Sequence, residues 1–319
     1  MTVRPRSQAV TAWRITRVLL ASAFVVPLGF GPLAAQTATP PPSPSAEREA
    51  RFDEAVREFA RSPRFKGVPE QQVREQIEFV AGNVIFATVH EVGHMLISEM
   101  GLPVLGREED AADAFAVLTG LKLGSALSDR VLTQSARGWF LSDRRNQKEN
   151  IKMVFYDEHG LDRQRAYNIV CLMVGGDPKK FSALADMTKM PEDRQGTCRG
   201  DYSNASWSWN KVLEPHLRKP DQAKTRIDVA YADTAKYQIY GWGFRQIRLL
   251  ENLAEHLSDR FAWRGPVALE MTSCNEPGAR WDLSARKILI CYELAADFAD
   301  LYRDYAAEPT PQKATAQER

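Results

Sequence analysis

Read by its apolar and polar positions, the chain is a succession of helical stripes with one late change of period. Phe52, Ala55, Val56, Phe59 and Ala60 recur at three-and-four spacing, which predicts a first amphipathic helix. A second begins near Pro69 and leads through Val73 and Ile77, with Gly82 marking a kink or a close helix crossing. From Val84 to Ile97 the helix is apolar on nearly every side, the mark of a buried rod. Gly101-Leu102-Pro103 stops it with a glycine cap and a following proline. A new helix is predicted from about Arg107 to Gly124, with Glu108, Glu109 and Asp110 at the positive end of its dipole. One stripe of it is Ala111, Ala114, Phe115, Leu118 and Leu121. The other is Glu109, Asp113, Ala116 and Gly120, whose small residues let it lie close against the preceding helix.

Residues 125–155 read as helical but weakly patterned, and a further helix turns Ile169, Val170, Leu172 and Met173 inward. Ile247, Leu250, Leu253, Ala254, Leu257 and Phe261 mark another, and Leu294, Phe298, Leu301, Tyr302 and Tyr305 the last. Between these two the period falls to two. Val267, Leu269 and Met271, then Ile288 and Ile290, alternate about the turn Asn275-Glu276-Pro277-Gly278, predicting a hairpin with room for a third short strand. The fold class expected is α+β and mostly helical, with a small β-hairpin or sheet.

Polar residues inside the most apolar helix carry the chemistry. His90-Glu91-Val92-Gly93-His94 is an H-E-x-x-H pattern, and positions i and i+4 share a helix face, so both imidazoles reach one metal ion. Glu91 stands about 100° round the helix, where it meets a water instead of the metal. Two histidines and a carboxylate in such a helix are unfavourable unless something satisfies them, and zinc does. The next helix brings Glu109 as a third ligand, with Asp113 one turn on to hold the N–H of a ligand histidine. Three protein ligands with an open fourth position mark a catalytic zinc centre. His159, in Asp157-Glu158-His159-Gly160, is the candidate donor to a tetrahedral oxyanion, with Arg165, Tyr167 and Tyr156 as weaker ones. His216 and His256 read as structural. Trp207 and Trp209 are candidates for a cleft lining or for core.

The E-x-x-x-D arrangement after H-E-x-x-H resembles that of the gluzincin metallopeptidases, the clan of thermolysin and the CAAX prenyl endopeptidases. More closely, HEVGHMLISEMGLPVLGREEDAADAFAVL resembles a bacterial family described as putative metallopeptidases, of unknown function. DEHGLDRQRAYNIVCLMVGGDP (157–178), PEDRQGTC (191–198) and CNEPGARW…ILICYEL (274–294) look like further family segments, the last following the H-E-x-x-H helix where a preceding position is usual. The resemblance spans roughly residues 70–305 and implies a zincin-like helix pair and peptide hydrolysis, with Glu91 as general base. The rival readings are a zinc amidase acting on cell-wall peptides or other amides, and a protein that binds metal or a partner without turnover.

Composition narrows the setting. Hydrophobic residues at 44% and charged residues at 26% are those of an ordinary globular chain. The first 35 residues hold Arg4, Arg6, Arg14 and Arg17 and no acid, followed by an apolar run to Leu33 and Ala34-Ala35-Gln36. That is the layout of a secretory signal peptide, with an uncleaved membrane anchor as the alternative. Without it no basic patch suggests nucleic acid, so the expected partner is a peptide or protein substrate, and membrane contact comes only through an uncleaved leader. Residues 36–48 read as a Pro/Ser-rich linker, 49–307 as the metallopeptidase-like domain and 308–319 as a disordered tail. Four cysteines with no C-x-x-C motif fit a periplasmic or secreted protein; of three possible pairings the two local ones are favoured, Cys171–Cys198 and Cys274–Cys291.

Overall fold

A computed structural model describes residues 43–306. The expected leader, the linker up to residue 42 and the tail fall outside the described residues. Helix α1 (Pro44–Arg61) starts inside the span expected as linker: Ser43 caps it, its Oγ accepting from the Ala46 N–H, and Pro44 is pre-set for a first helical turn. Its apolar stripe docks as predicted, with Phe52, Ala55, Val56 and Phe59 buried.

Helix α2 (Glu70–Met100) is the axis of the fold. It runs unbroken through Gly82, which marks a close crossing and no kink. A Cβ there would sit 2.9 Å from Gln134 Cβ on α4 (Ala126–Lys148). By length and composition α2 could cross a membrane, yet 78% of its most apolar window is buried within the protein. It ends at Gly101 in the left-handed region, φ 61°, and the Leu102 N–H closes the turn on the Ile97 carbonyl at 2.9 Å.

Helix α3 (Glu108–Leu123) packs on α2 with Glu109 and Asp113 of the predicted stripe facing it, but the closest approach is made by Ala112 and not by Gly120. Gly93 meets Ala112, whose Cα would lie 2.9 Å from a Cβ on residue 93, whereas Gly120 faces Leu132 of α4. Helix α4 ends at Lys148, so residues 149–155 are not helical as expected. Helices α5 (Asp162–Gly176), α6 (Pro178–Met187) and α7 (Glu192–Leu213) join α3 and α4 round a second core that includes Leu132, Ile169, Val170 and Met173. The disulfide Cys171–Cys198 ties α5 to α7.

On the other side of α2 lies a four-stranded sheet, larger than the expected hairpin. Strand β1 (Ile227–Tyr231), helices α8 (Gln238–Gln246) and α9 (Leu249–Arg260), then β2 (Val267–Thr272), β3 (Ala279–Asp282), β4 (Lys287–Cys291) and α10 (Tyr292–Leu301) complete the described order. The sheet order is β1-β2-β4-β3, with β1 and β4 parallel to β2 and β3 antiparallel to β4. Only β3 and β4 form a hairpin. The Asn275–Gly278 turn carries the chain from β2 past β4 to the edge, and Cys274–Cys291 anchors it. Alternation in β2 is clean, with Val267, Leu269 and Met271 buried in the main core.

The candidate metal centre

Helices α2 and α3 meet in opposite chain directions, His90 opposite Asp113 and His94 opposite Glu109. One helical turn separates His90 from His94, and one turn separates Glu109 from Asp113. Two such turns laid antiparallel therefore match rung for rung, and Gly93 against Ala112 sets their closeness.

His90 Nδ1 lies 2.8 Å from Asp113 Oδ1, and His94 Nδ1 lies 2.8 Å from Glu108 Oε1. Carboxylates only accept, so each Nδ1 carries its proton, and in the neutral ring each Nε2 presents a lone pair. Those two Nε2 atoms face each other at 3.0 Å. Glu109 supplies Oε2 at 3.1 Å from His90 Nε2 and Oε1 at 3.4 Å from His94 Nε2. His159 Nε2, from the loop before α5, comes within 2.8 Å of Glu109 Oε2, its own Nδ1 turned towards Asp157 at 3.2 Å.

Lone pairs pointed at one another are repulsive unless a cation lies between them. Glu109 Oε2 is buried and, despite those neighbours, accepts no hydrogen bond of good geometry. Arms of about 2.05 Å give a tetrahedron with edges of about 3.3 Å, close to the donor separations here. Charge agrees: Glu108, Glu109 and Asp113 all face the two imidazoles, and the permanent cation paired with them is Arg165, on Asp113. Without an ion, protons take its place. Burial works against the charged form of His94, yet hydrogen bonds and charges from Glu109 and Glu108 outweigh it, and its pKa is pushed up to about 9. His90 is raised too, burial opposing and Asp113 and Glu109 prevailing. Glu109 is driven down by His159, His90 and His94 against its own burial. The donor set fits a divalent metal ion.

Glu91 is buried on the neighbouring face of α2, and burial raises its pKa above the usual carboxylate range. The Trp281 N–H on the free edge of β3 donates to its Oε2 at 2.8 Å. Asp113 is gripped from behind by Arg165, Nε to Oδ2 and Nη2 to Oδ1, both 2.8 Å. Arg165 is itself buried, stacked 3.8 Å above the Trp139 ring. Its Nε–H and Nη2–H are given to Asp113. Tyr167 is absent from the site, its hydroxyl given to the Thr188 carbonyl at 2.9 Å, and Tyr156 points to solvent. Trp209 belongs to the core, packed on Phe115 and donating to the Ala111 carbonyl, while Trp207 is exposed. His256 faces solvent, and His216 ends a 3₁₀ turn, both away from the cluster.

Two contacts were not foreseen from sequence. Glu108 looked like a helix-end acid, and its pairing with His94 follows only from the antiparallel register. The Trp281 donor is a backbone group 190 residues from Glu91, with no side-chain signature.

Fold and cluster together define a mainly helical α+β protein built round a candidate site for a divalent metal. The family model described as "Putative metallopeptidase" matches residues 53–213 and 231–318, and the chain belongs to that family. No curated protein and no solved structure matches the chain significantly.

Proposed function

We propose that the protein is an exported zinc-dependent metallopeptidase of the gluzincin type. The observation that carries this reading is the pair of imidazole Nε2 atoms 3.0 Å apart, each ring fixed through Nδ1 by a carboxylate, with Glu109 closing a third side. His90, His94 and Glu109 would hold the ion, and Asp113 and Glu108 set the tautomer and tilt of the two rings. When bound, the metal lowers the pKa of a water and polarises the substrate carbonyl. Glu91, its Oε2 held by the Trp281 N–H, has Oε1 free to take the proton from the attacking water and pass it to the leaving amine. A raised pKa suits both halves of that task. His159, half-exposed on the open side with Nε2 turned inward, donates to the oxyanion. The two disulfides are consistent with an extracellular or periplasmic location.

Glu91→Gln tests the reading: it should keep about one zinc per chain and lose peptide cleavage. Undiminished cleavage by Glu91→Gln would remove the general base. Digestion of a peptide library beside cell-wall fragments separates peptidase from amidase, and metal binding without any product from either leaves the non-catalytic reading.

A further inference from the structure

Behind α3, on the side without His90 and His94, two depressions run between α3 and α9 over the back of α2. They share Val89, Thr119, Leu123, Leu253 and His256 and so form one channel, with cavity volumes of about 230 and 510 Å³ in its two parts. The larger part falls in the range of small-molecule sites, roughly 300–1,000 Å³. Its lining is mostly aliphatic and aromatic, including Val92, Phe115 and Leu257. Leu123, on the ridge common to both parts, is 56% exposed, an apolar side chain left in water.

The charge on the walls has one sign. Lys122 and Arg260 line the larger part and Arg48 the smaller, with His256 held towards its neutral form by burial and by Arg260 and Lys122, and no acidic side chain lines either. Among the described residues neither Lys122 nor Arg260 forms an ion pair, and the neighbouring Asp259 is engaged by Lys224. Burial and the nearby Arg260 hold the Lys122 pKa below its ordinary value, as expected of cations gathered without a counter-charge.

We propose that this channel binds a long-chain fatty carboxylate, the acyl chain along the leucine-lined floor and the head group among Lys122, Arg260 and His256. An extended peptide would find partners in Thr119, Ser206 and Asn210, but its backbone brings no negative charge for Lys122 and Arg260. The site shares α2 and α3 with the candidate metal centre but none of its proposed ligands, so it is tested without metal and without turnover.

The test is calorimetric titration of the full chain with dodecanoate, dodecanol and dodecyltrimethylammonium, all below their micellar concentrations. Dodecanoate should bind saturably, one per chain, about tenfold tighter than dodecanol, a difference of about 1.4 kcal/mol, and the cationic amphiphile weakest. Lys122→Glu with Arg260→Glu should abolish the preference for the carboxylate and leave dodecanol unchanged; should that pair fold poorly, Lys122→Gln with Arg260→Gln should reduce it. Leu253→Trp should block all binding while the thermal melt persists. Absence of saturable binding, equal affinity for all three amphiphiles, or an unchanged carboxylate preference in the charge variants would overturn the proposal.

Discussion

Removing the charge of Asp113 is the perturbation with the largest expected effect. Its carboxylate is buried and accepts from His90 Nδ1 and from both arms of Arg165, which is equally buried. Asp113→Asn keeps an oxygen for His90 but leaves the guanidinium without its counter-charge in a dry setting. Breaking a buried pair in this way costs about 3–5 kcal/mol. At roughly 2–4 °C per kcal/mol for a domain of this size, the metal-free protein should melt about 10 °C lower. Adding Arg165→Met removes the orphaned charge as well and should recover most of the loss. About 1 kcal/mol remains missing for the guanidinium that stacked on Trp139. Zinc affinity should not recover with it. Both variants lack the carboxylate that orients His90 as a proposed ligand, and each should bind zinc about 10–100-fold more weakly. Urea unfolding in chelator gives the first quantity and competition with a chromophoric chelator the second. A double variant no more stable than Asp113→Asn would refute the buried-pair argument. Normal zinc affinity in either variant would refute the role given to Asp113.

Glu108→Gln should weaken zinc binding by about tenfold, as for other partners of ligand histidines, with little change in the melt of the metal-free protein because Glu108 is half-exposed. Affinity equal to the parent would return Glu108 to the status of a helix-end acid. Gly93→Ala and Gly200→Ala should move stability in opposite directions. The first drives a Cβ to 2.9 Å from the Ala112 backbone and should cost about 1–3 kcal/mol. The second places one where nothing lies within 4 Å on α7 and should gain about 1 kcal/mol of helix propensity; a shared sign in denaturant unfolding would contradict this. Burial alone would raise the Glu293 pKa, yet the Ser273 hydroxyl and the Cys274 and Asn275 N–H groups hold it below the ordinary 4.5. A depressed folded pKa gives stability that is complete above the unfolded value and lost as pH falls through the folded one. Glu293→Gln should therefore be about 2 kcal/mol less stable than the parent at pH 7, and the gap should close below pH 4.5; a gap independent of pH counts against it.

Much of the centre is visible in the chain because its parts are local. H-E-x-x-H and E-x-x-x-D each span one helical turn, and a short loop makes the two helices neighbours. Both disulfides join the cysteines nearest in sequence. What the pattern hides is pairing at a distance. Ile227, Val229 and Tyr231 alternate like a strand, but five residues between charged flanks are too short to stand out, and β1 exists because β2 pairs with it. The alternation of β2 and β4 is legible, whereas their parallel pairing with β3 outside them is not, since alternation fixes a face and leaves strand order open. Gly82 reads equally as a kink or a crossing until α4 is seen lying against it.

The sheet follows the H-E-x-x-H helix in the chain, yet it still serves Glu91, and the reason is a free edge. An edge strand presents every second N–H away from its partner, and such a donor must find an acceptor. At Trp281 the acceptor is Glu91, so the same contact that satisfies the strand aims the carboxylate. A second contact fixes the approach. Glu99, two turns further along α2 and buried, takes a two-armed hydrogen bond from Arg286 in the β3–β4 turn, at 3.0 and 2.6 Å. Two carboxylates on one helix thus grip the turn end of one short hairpin, from its β3 strand and from its turn. Chain order is irrelevant to this arrangement; what it requires is that an edge strand lie along the helix face carrying Glu91 and Glu99. The hairpin that seemed out of place in the sequence is therefore a structural part of the site, since it supplies the donor that fixes the position of the proposed base.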